Sequence, residues 1–115
     1  MNSINLAADS EHIYRVDKFV VPASGRDEFL AGVRKTHSLL KTQPGFVRDA
    51  VLEQVAGNGE FNFVTLVEWD SQSSIANAKA AVMAMHAQTG LNPQEMFGRL
   101  GIRADLGNYR LVDWQ

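Results

Sequence analysis

The residues FNFVTLVEW, numbers 61 to 69, decide the fold of this chain. β-Branched and aromatic residues dominate this stretch, which predicts a strand. Because successive side chains of a strand point to opposite faces, Phe63 and Trp69 share one face, and Val64 and Leu66 share the other. Both faces are therefore apolar, whereas a strand with one face in water would alternate apolar and polar residues.

A turn signal, Gly57-Asn58-Gly59-Glu60, precedes this strand and predicts a hairpin with another strand over 46–56. A strict two-residue turn places Asp49 opposite Glu68, and like charges that face each other across strands repel. A shift by one residue through a bulge instead sets Arg48 against Glu68 as an ion pair, and we favour this register. The strict register would make a carboxylate pair with one raised pKa, a candidate acid–base site.

Helix N-termini are marked by residues whose side chains accept hydrogen bonds from the free backbone N–H groups of the first turn. One of these signals has the Ser-x-x-acid form of a capping box, and another has Pro at the first helical position. Three helices are predicted in this way. The first runs from the capping box Ser24-Gly25-Arg26-Asp27 to near Lys41, the second from Asp70 or Ser71 to near Gln88, and the third from Asn92-Pro93 to Leu100.

A first strand is predicted over 12–21 and a last strand over 109–114, which gives the order β-α-β-β-α-β. This order is typical of α+β ferredoxin-like folds with a four-stranded antiparallel sheet, here with an extra short helix before the last strand. A length of 115 residues suits one core. We expect one domain over 12–115, preceded by a flexible N-terminal arm over 1–11.

Composition excludes several classes of protein. A hydrophobic content of 45% and a charged content of 21% exclude a disordered chain. A net charge of −2, without a cluster of basic residues, gives no reason to bind nucleic acid. No apolar run approaches the roughly 20 residues of a membrane helix, so no membrane partner is expected. Since the chain has no cysteine, it has no disulfide or thiolate site, which is compatible with a cytoplasmic location.

The two main helices can cover only one face of the sheet, so the apolar side chains of the other face need another partner. Left in water, they would form a larger apolar patch than soluble monomers normally carry. We therefore expect a homodimer in which two sheets pack face to face and bury about 800 Å² on each partner.

Three motifs carry a resemblance to a known family: Phe-Val-Val-Pro at 19–22, Pro-Gly-Phe at 44–46 and Glu-Trp-Asp-Ser at 68–71. With the order of elements, they resemble the antibiotic biosynthesis monooxygenase family of dimeric α+β barrels, over residues 12 to 112. Members include oxygenases that convert polycyclic phenols to quinones without metal or flavin, haem-degrading enzymes and proteins of unknown role. The resemblance implies a monooxygenase that needs no cofactor.

The quinone-forming members have four characteristic site positions, and this chain keeps one of them, Trp69. The other three positions hold Thr65 in place of Asn, Ile75 in place of Tyr and Thr89 in place of Arg. In the haem-degrading members, a haem-ligating His falls close to His86, while their Asn and Trp positions hold Asp17 and Ala78 here.

Four residues are candidates for catalysis. Trp69 could stack on an aromatic substrate or pass an electron to oxygen, or it could simply plug the end of the barrel. His37 and His86 lie on apolar helix faces, where each is either a general base or a core histidine bonded to a backbone carbonyl. Thr65 would orient the substrate. Substrate-binding polarity is expected from Tyr14, Arg15, Asn62 and Tyr109.

The same polar residues allow other roles. Arg15 and Asp17 lie two positions apart on one face, so they could pair with each other or with the partner subunit. Asn62 and Thr65 point to opposite faces, so at most one of them lines a pocket. No His and carboxylate occur at the helical spacing of a metal site, so no metal is expected.

Two functions compete. The first is oxidation of a small aromatic or phenolic substrate by dioxygen, in which the substrate anion reduces oxygen and the protein supplies a base and a dry pocket. The second is a non-catalytic dimer, for ligand binding or stress response, that holds a small apolar molecule in the same cavity. Haem degradation is a third and more distant option.

Overall fold

The computed structural model of the protein describes residues 11–114. Within them the four strands form one antiparallel sheet in the order β2-β3-β1-β4. The predicted α+β ferredoxin-like fold is therefore confirmed, including the extra short helix. The elements are β1 (Ile13–Val20), α1 (Arg26–Leu40), β2 (Phe46–Glu53), β3 (Phe63–Trp69), α2 (Gln72–Thr89), α3 (Pro93–Leu100) and β4 (Arg103–Arg110). The predicted arm over 1–11 lies, apart from Glu11, outside the described residues.

The predicted starts of α2 and α3 are confirmed by their caps. The hydroxyl of Ser71 accepts a hydrogen bond from the backbone N–H of Ser74 at 3.3 Å. The side chain of Asn92 accepts one from the N–H of Glu95 at 3.1 Å. The predicted capping box at α1 is wrong, because a single 3₁₀ turn ends at Gly25, which is the N-cap and has no side-chain hydrogen bond.

The predicted last strand over 109–114 is wrong. β4 begins directly after α3 and pairs along the whole of β1, from Val20 opposite Arg103 to Ile13 opposite Arg110. It is an edge strand with mostly polar and exposed side chains, so it lacks the apolar alternation by which sequence patterns identify a strand. The hairpin strands are also shorter than predicted, since β2 ends at Glu53 and β3 begins at Phe63.

The favoured hairpin register is confirmed, because Arg48 lies opposite Glu68 and Asp49 lies opposite Val67. The carboxylate pair of the strict register therefore does not form. A bulge is present, but it lies between Phe46 and Arg48 at the far end of β2. The predicted tight turn is replaced by a longer loop, in which Gly57 has the positive φ of 103°.

The helices cover one face of the sheet, called here the covered face. Phe29 of α1 is 1% exposed, and its ring lies 4.9 Å from that of Phe19 and 5.3 Å from that of Phe63. Burial of each such ring stabilises the fold by about 1.5–3 kcal/mol. A separate core cluster contains Val67, Trp69 and Ala78.

The opposite face of the sheet, called the open face, has no helix over it among residues 11–114. In the centre of the sheet, β3 contributes Val64 and Leu66, which pair with Lys18 and Val16 of β1. At the edges, Leu52 is 55% exposed and Tyr109 is 48% exposed. The apolar side chains predicted for the uncovered face are thus present.

Gly45 joins α1 to β2 in a conformation that a side chain cannot adopt without strain, with φ at 87°. Its carbonyl accepts a hydrogen bond from the N–H of Asp70 at 2.9 Å, and the Ser74 hydroxyl donates one to the Asp70 carboxylate at 2.6 Å. A Cβ added at Gly45 would lie closer than 3.0 Å to both side chains. Gly57 also has a positive φ, but a Cβ there would meet nothing within 4 Å.

We therefore expect Gly45→Ala to lower the free energy of unfolding by much more than Gly57→Ala does. Positive φ alone costs an alanine about 1–2 kcal/mol, and this is the whole cost at position 57. At position 45 the collision adds to it. Urea denaturation of both variants measures the difference, and equal losses would contradict the packing described for Gly45.

Candidate active site

A cavity of about 210 Å³, called here the inner cavity, lies between the covered face and the helices. Aromatic and aliphatic side chains from β1, α1, α3 and β4 form most of its wall, which is typical of small-molecule sites. Its titratable and hydroxyl-bearing residues are Asp17, Thr36, His37, Thr65 and His86. Among the predicted catalytic residues, His37, His86 and Thr65 are brought together here.

His37 is held by a carboxylate. Its Nδ1 lies 2.8 Å from Oδ2 of Asp49, and both side chains are largely buried. Because a carboxylate only accepts hydrogen bonds, Nδ1 carries the proton in the neutral imidazole and Nε2 is free to take one. A positioned imidazole of this kind can act as a general base.

The sequence pattern does not indicate Asp49 as the partner of His37. It suggests Asp49 only as a member of a carboxylate pair with Glu68. The signal was nevertheless present, since the register that pairs Arg48 with Glu68 turns the next side chain of β2 to the covered face.

His86 lines the inner cavity and has an unsatisfied polar atom. Its Nε2 is buried and has no hydrogen-bond partner among the described residues. A buried polar group without a partner costs about 1–3 kcal/mol, so a ligand oxygen that bonds to this nitrogen would recover that energy. Thr65 on β3 is 6% exposed and brings a hydroxyl to the same space.

Asp17, which the family resemblance places only at the Asn position of the haem-degrading members, lines the inner cavity. It lies on β1 directly opposite Thr65, and its carboxylate accepts a hydrogen bond from Nε of Arg15 at 2.6 Å, which confirms the predicted pairing. Burial raises the pKa of Asp17, although Arg15, His37 and the backbone N–H of Gly107 act in the opposite direction.

Trp69 lies outside the inner cavity. Its side chain is 2% exposed, and its ring packs edge-on against Phe46 at 5.9 Å and lies in a cluster with Ala78. This placement corresponds to the plugging role that the sequence left open. A stacking role would need contact with the substrate, and the closed packing around Trp69 provides none in this cavity.

Asn62 also lies elsewhere and acts on the backbone. Its side-chain oxygen accepts a hydrogen bond from the N–H of Val21, and its amide nitrogen donates one to the carbonyl of Val21, both at 2.8 Å. Of the two polar residues Asn62 and Thr65, Thr65 is thus the one that lines the cavity, and Asn62 ties β3 to the end of β1. Arg15 reaches the site only through Asp17.

Tyr14 and Tyr109 face each other on the open face, away from the inner cavity. There Glu68 is 2% exposed, and its carboxylate lies 2.6 Å from Arg48 and 2.6 Å from His12. Burial raises the pKa of the Tyr14 phenol, and the negative charge of Glu68 raises it further. These groups form a separate polar cluster on the open face.

Within residues 11–114, no group of three or more His, Cys, Asp and Glu side chains is arranged to hold a metal ion. In the same part of the chain, no helix is long and apolar enough to span a membrane.

The fold is shared with solved structures of a cofactor-independent oxygenase and of a haem degrader. The structure of SnoaB, a cofactor-independent oxygenase from Streptomyces nogalater, matches with a TM-score of 0.64 and 20% identity, over 91% of this chain and 99% of that one. MhuD, a haem degrader from Mycobacterium tuberculosis, matches with a TM-score of 0.66 and 23% identity, over 87% of this chain and 95% of that one.

A candidate antibiotic biosynthesis monooxygenase from Nitrosomonas europaea matches with a TM-score of 0.66 and 13% identity, over 92% of this chain and 95% of that one. No family model and no curated protein matches the sequence. The predicted resemblance to the antibiotic biosynthesis monooxygenases is therefore confirmed by the fold, which this chain and these proteins share.

Asp17 provides a test of the inner cavity's electrostatics. We expect its pKa to lie above the ordinary 3.8 and to rise further in Arg15→Gln, which loses a cation that stabilises the carboxylate. Carboxyl-carbon NMR titration of both proteins measures this. A midpoint at or below the ordinary value would contradict the burial of Asp17.

The raised pKa of Asp17 also makes the stability of the fold depend on pH. Because the folded-state pKa of Asp17 is raised, its contribution to stability is fully present below the unfolded pKa and is lost as the pH rises through the folded pKa. Compared with Asp17→Asn, the wild type should therefore lose free energy of unfolding as the pH rises over that window.

Proposed function

We propose that this protein is a cofactor-independent oxygenase that oxidises a small phenolic substrate with dioxygen in the inner cavity. The observation that carries the proposal is His37, held by Asp49 at 2.8 Å on the wall of an apolar cavity. Such a base can remove a phenolic proton, and a dry pocket keeps the resulting anion reactive toward oxygen. The fold shared with a cofactor-independent oxygenase supports the proposal.

The reaction balances without a reductant. With 1-naphthol as an example, His37 takes the phenolic proton, and the carbon para to the oxygen gives an electron pair to dioxygen, forming a C–O bond. The peroxide takes the proton back from His37. Loss of the C–H proton then breaks the O–O bond, so that one oxygen atom remains in 1,4-naphthoquinone and the other leaves as water.

His86 and Thr65 have binding roles in this proposal. The free Nε2 of His86 and the hydroxyl of Thr65 would hydrogen-bond the substrate's oxygen and keep the ring in place. Asp17, directly opposite Thr65, lines the same part of the cavity. The proposal gives Trp69 no contact with the reacting atoms.

The size of the inner cavity limits the substrate. Its 210 Å³ lies below the roughly 300 Å³ at which sites for drug-sized ligands begin, so one or two fused rings are the expected size. Haem, the substrate of the haem-degrading relatives of this fold, is larger than that and does not fit this space.

Oxygen uptake with 1-naphthol tests the proposal. We expect His37→Gln to lower kcat/KM by about 10²–10⁴-fold, because the general base is lost. Asp49→Asn should also lower it, because the imidazole loses the carboxylate that orients it. Trp69→Phe should remain close to wild type in rate while it lowers Tm. Circular dichroism of each variant shows whether it is folded.

Two results would contradict the proposal. Equal rates of oxygen uptake in the wild type and in folded His37→Gln would exclude His37 as the general base. Binding of 1-naphthol without any oxygen uptake would support the non-catalytic ligand-binding dimer instead.

We further propose that the protein is a cytoplasmic homodimer in which two open faces meet. The apolar side chains in the centre of the open face, Val16, Val64 and Leu66, support this arrangement, since a stable interface buries about 800 Å² per partner. The outer residues of this face, Leu52 and Tyr109, are about half exposed in the single chain.

Sedimentation velocity tests the dimer. We expect the wild type to sediment as a dimer at micromolar concentration and Leu66→Arg to shift it to a monomer, because a buried charge at the centre of an interface costs several kcal/mol. Val55→Arg is the matched control, because Val55 is 96% exposed in the hairpin loop. A monomeric wild type would refute the open-face dimer.

A further inference from the structure

An additional cavity of about 310 Å³, called here the outer cavity, lies between α1 and β2. It adjoins the inner cavity, because Val33 and His37 line both. The His37–Asp49 pair therefore lies between the inner and the outer cavity. The outer cavity takes no part in the reaction proposed above.

The outer cavity has a cationic wall. Arg34 of α1 and Lys41, the C-cap of that helix, line it on either side of His37. Asp49 also lines it, but its carboxylate is already engaged by His37 at 2.8 Å and lies 4.0 Å from Nζ of Lys41. Among residues 11–114, Arg34 is recorded in no ion pair and is exposed at the rim.

The two cavities differ in their charged residues. The inner cavity has the carboxyl of Asp17, paired with Arg15, on its wall, whereas the outer cavity has the two cations Arg34 and Lys41 and the carboxylate of Asp49. A ligand that occupies both spaces and carries one negative group would therefore place that group outward. Inward, it would meet Asp17 and an apolar wall, where an unpaired charge is costly.

We propose that the outer cavity is a carboxylate subsite and that the substrate is a small hydroxyaryl carboxylic acid. This inference rests on the proposed oxygenase function. The hydroxyl-bearing ring would lie in the inner cavity beside His37, and the carboxylate would bind Arg34, with Lys41 nearby. A guanidinium suits this role because its planar N–H groups match the two oxygens of a carboxylate.

The experiment compares two ligands of equal shape, 6-hydroxy-2-naphthoate and its neutral amide, by calorimetric titration without oxygen. We expect the wild type to bind the carboxylate about tenfold more tightly, since a hydrogen bond from a guanidinium to a carboxylate is stronger than one to a neutral amide. Arg34→Gln should remove most of this preference and leave the affinity for the amide unchanged. Lys35→Gln is the matched control, since Lys35 is exposed beside Arg34 and lines neither cavity.

Three outcomes would overturn the subsite: equal affinity of the wild type for acid and amide, no effect of Arg34→Gln, or an equal effect of Lys35→Gln. Absence of binding by both ligands would overturn it as well. Oxygen uptake with neutral 1-naphthol is independent of this comparison. If 1-naphthol is oxidised but the acid is not preferred, only the subsite fails; if the acid is preferred without oxygen uptake, the proposed reaction fails.

Discussion

The packing of Phe29 on the sheet is the constraint on which the site depends. The ring of Phe29 packs against Phe19 of β1 and Phe63 of β3, so it fixes the position of α1 along the direction of the strands. His37 follows about two turns later on the same helix face. The aromatic contacts thereby determine where the imidazole meets Asp49, and this meeting separates the inner from the outer cavity.

Much of the fold was predictable because its signals are local. Ser71 and Asn92 cap their helices with side chains a few positions from the groups they bind, so a short stretch of sequence contains all the information. The strand β4 was not predictable in this way. It is defined by pairing with β1, whose sequence is far away, and its own polar composition hides it.

The candidate site was predictable only in part, for a related reason. Helical spacing put His37 on the inner face of α1, and alternation put Thr65 on the covered face of β3, so both were identified. Asp49 and Asp17 needed the register and the tertiary packing of α1 on the sheet. The sequence leaves the role of Trp69 open, because a large aromatic at a strand end gives the same pattern whether it contacts a substrate or fills a core.

The side chain of Asn62 takes the place of the backbone of a neighbouring strand. Its carboxamide bonds both the N–H and the carbonyl of Val21, as the backbone of a neighbouring strand would do, just where the β1–β3 ladder stops. The sheet is thereby closed off from the exposed loop tip over residues 55–59. This loop tip is free to differ in length or to accept an inserted tag without loosening the strands that support the cavity.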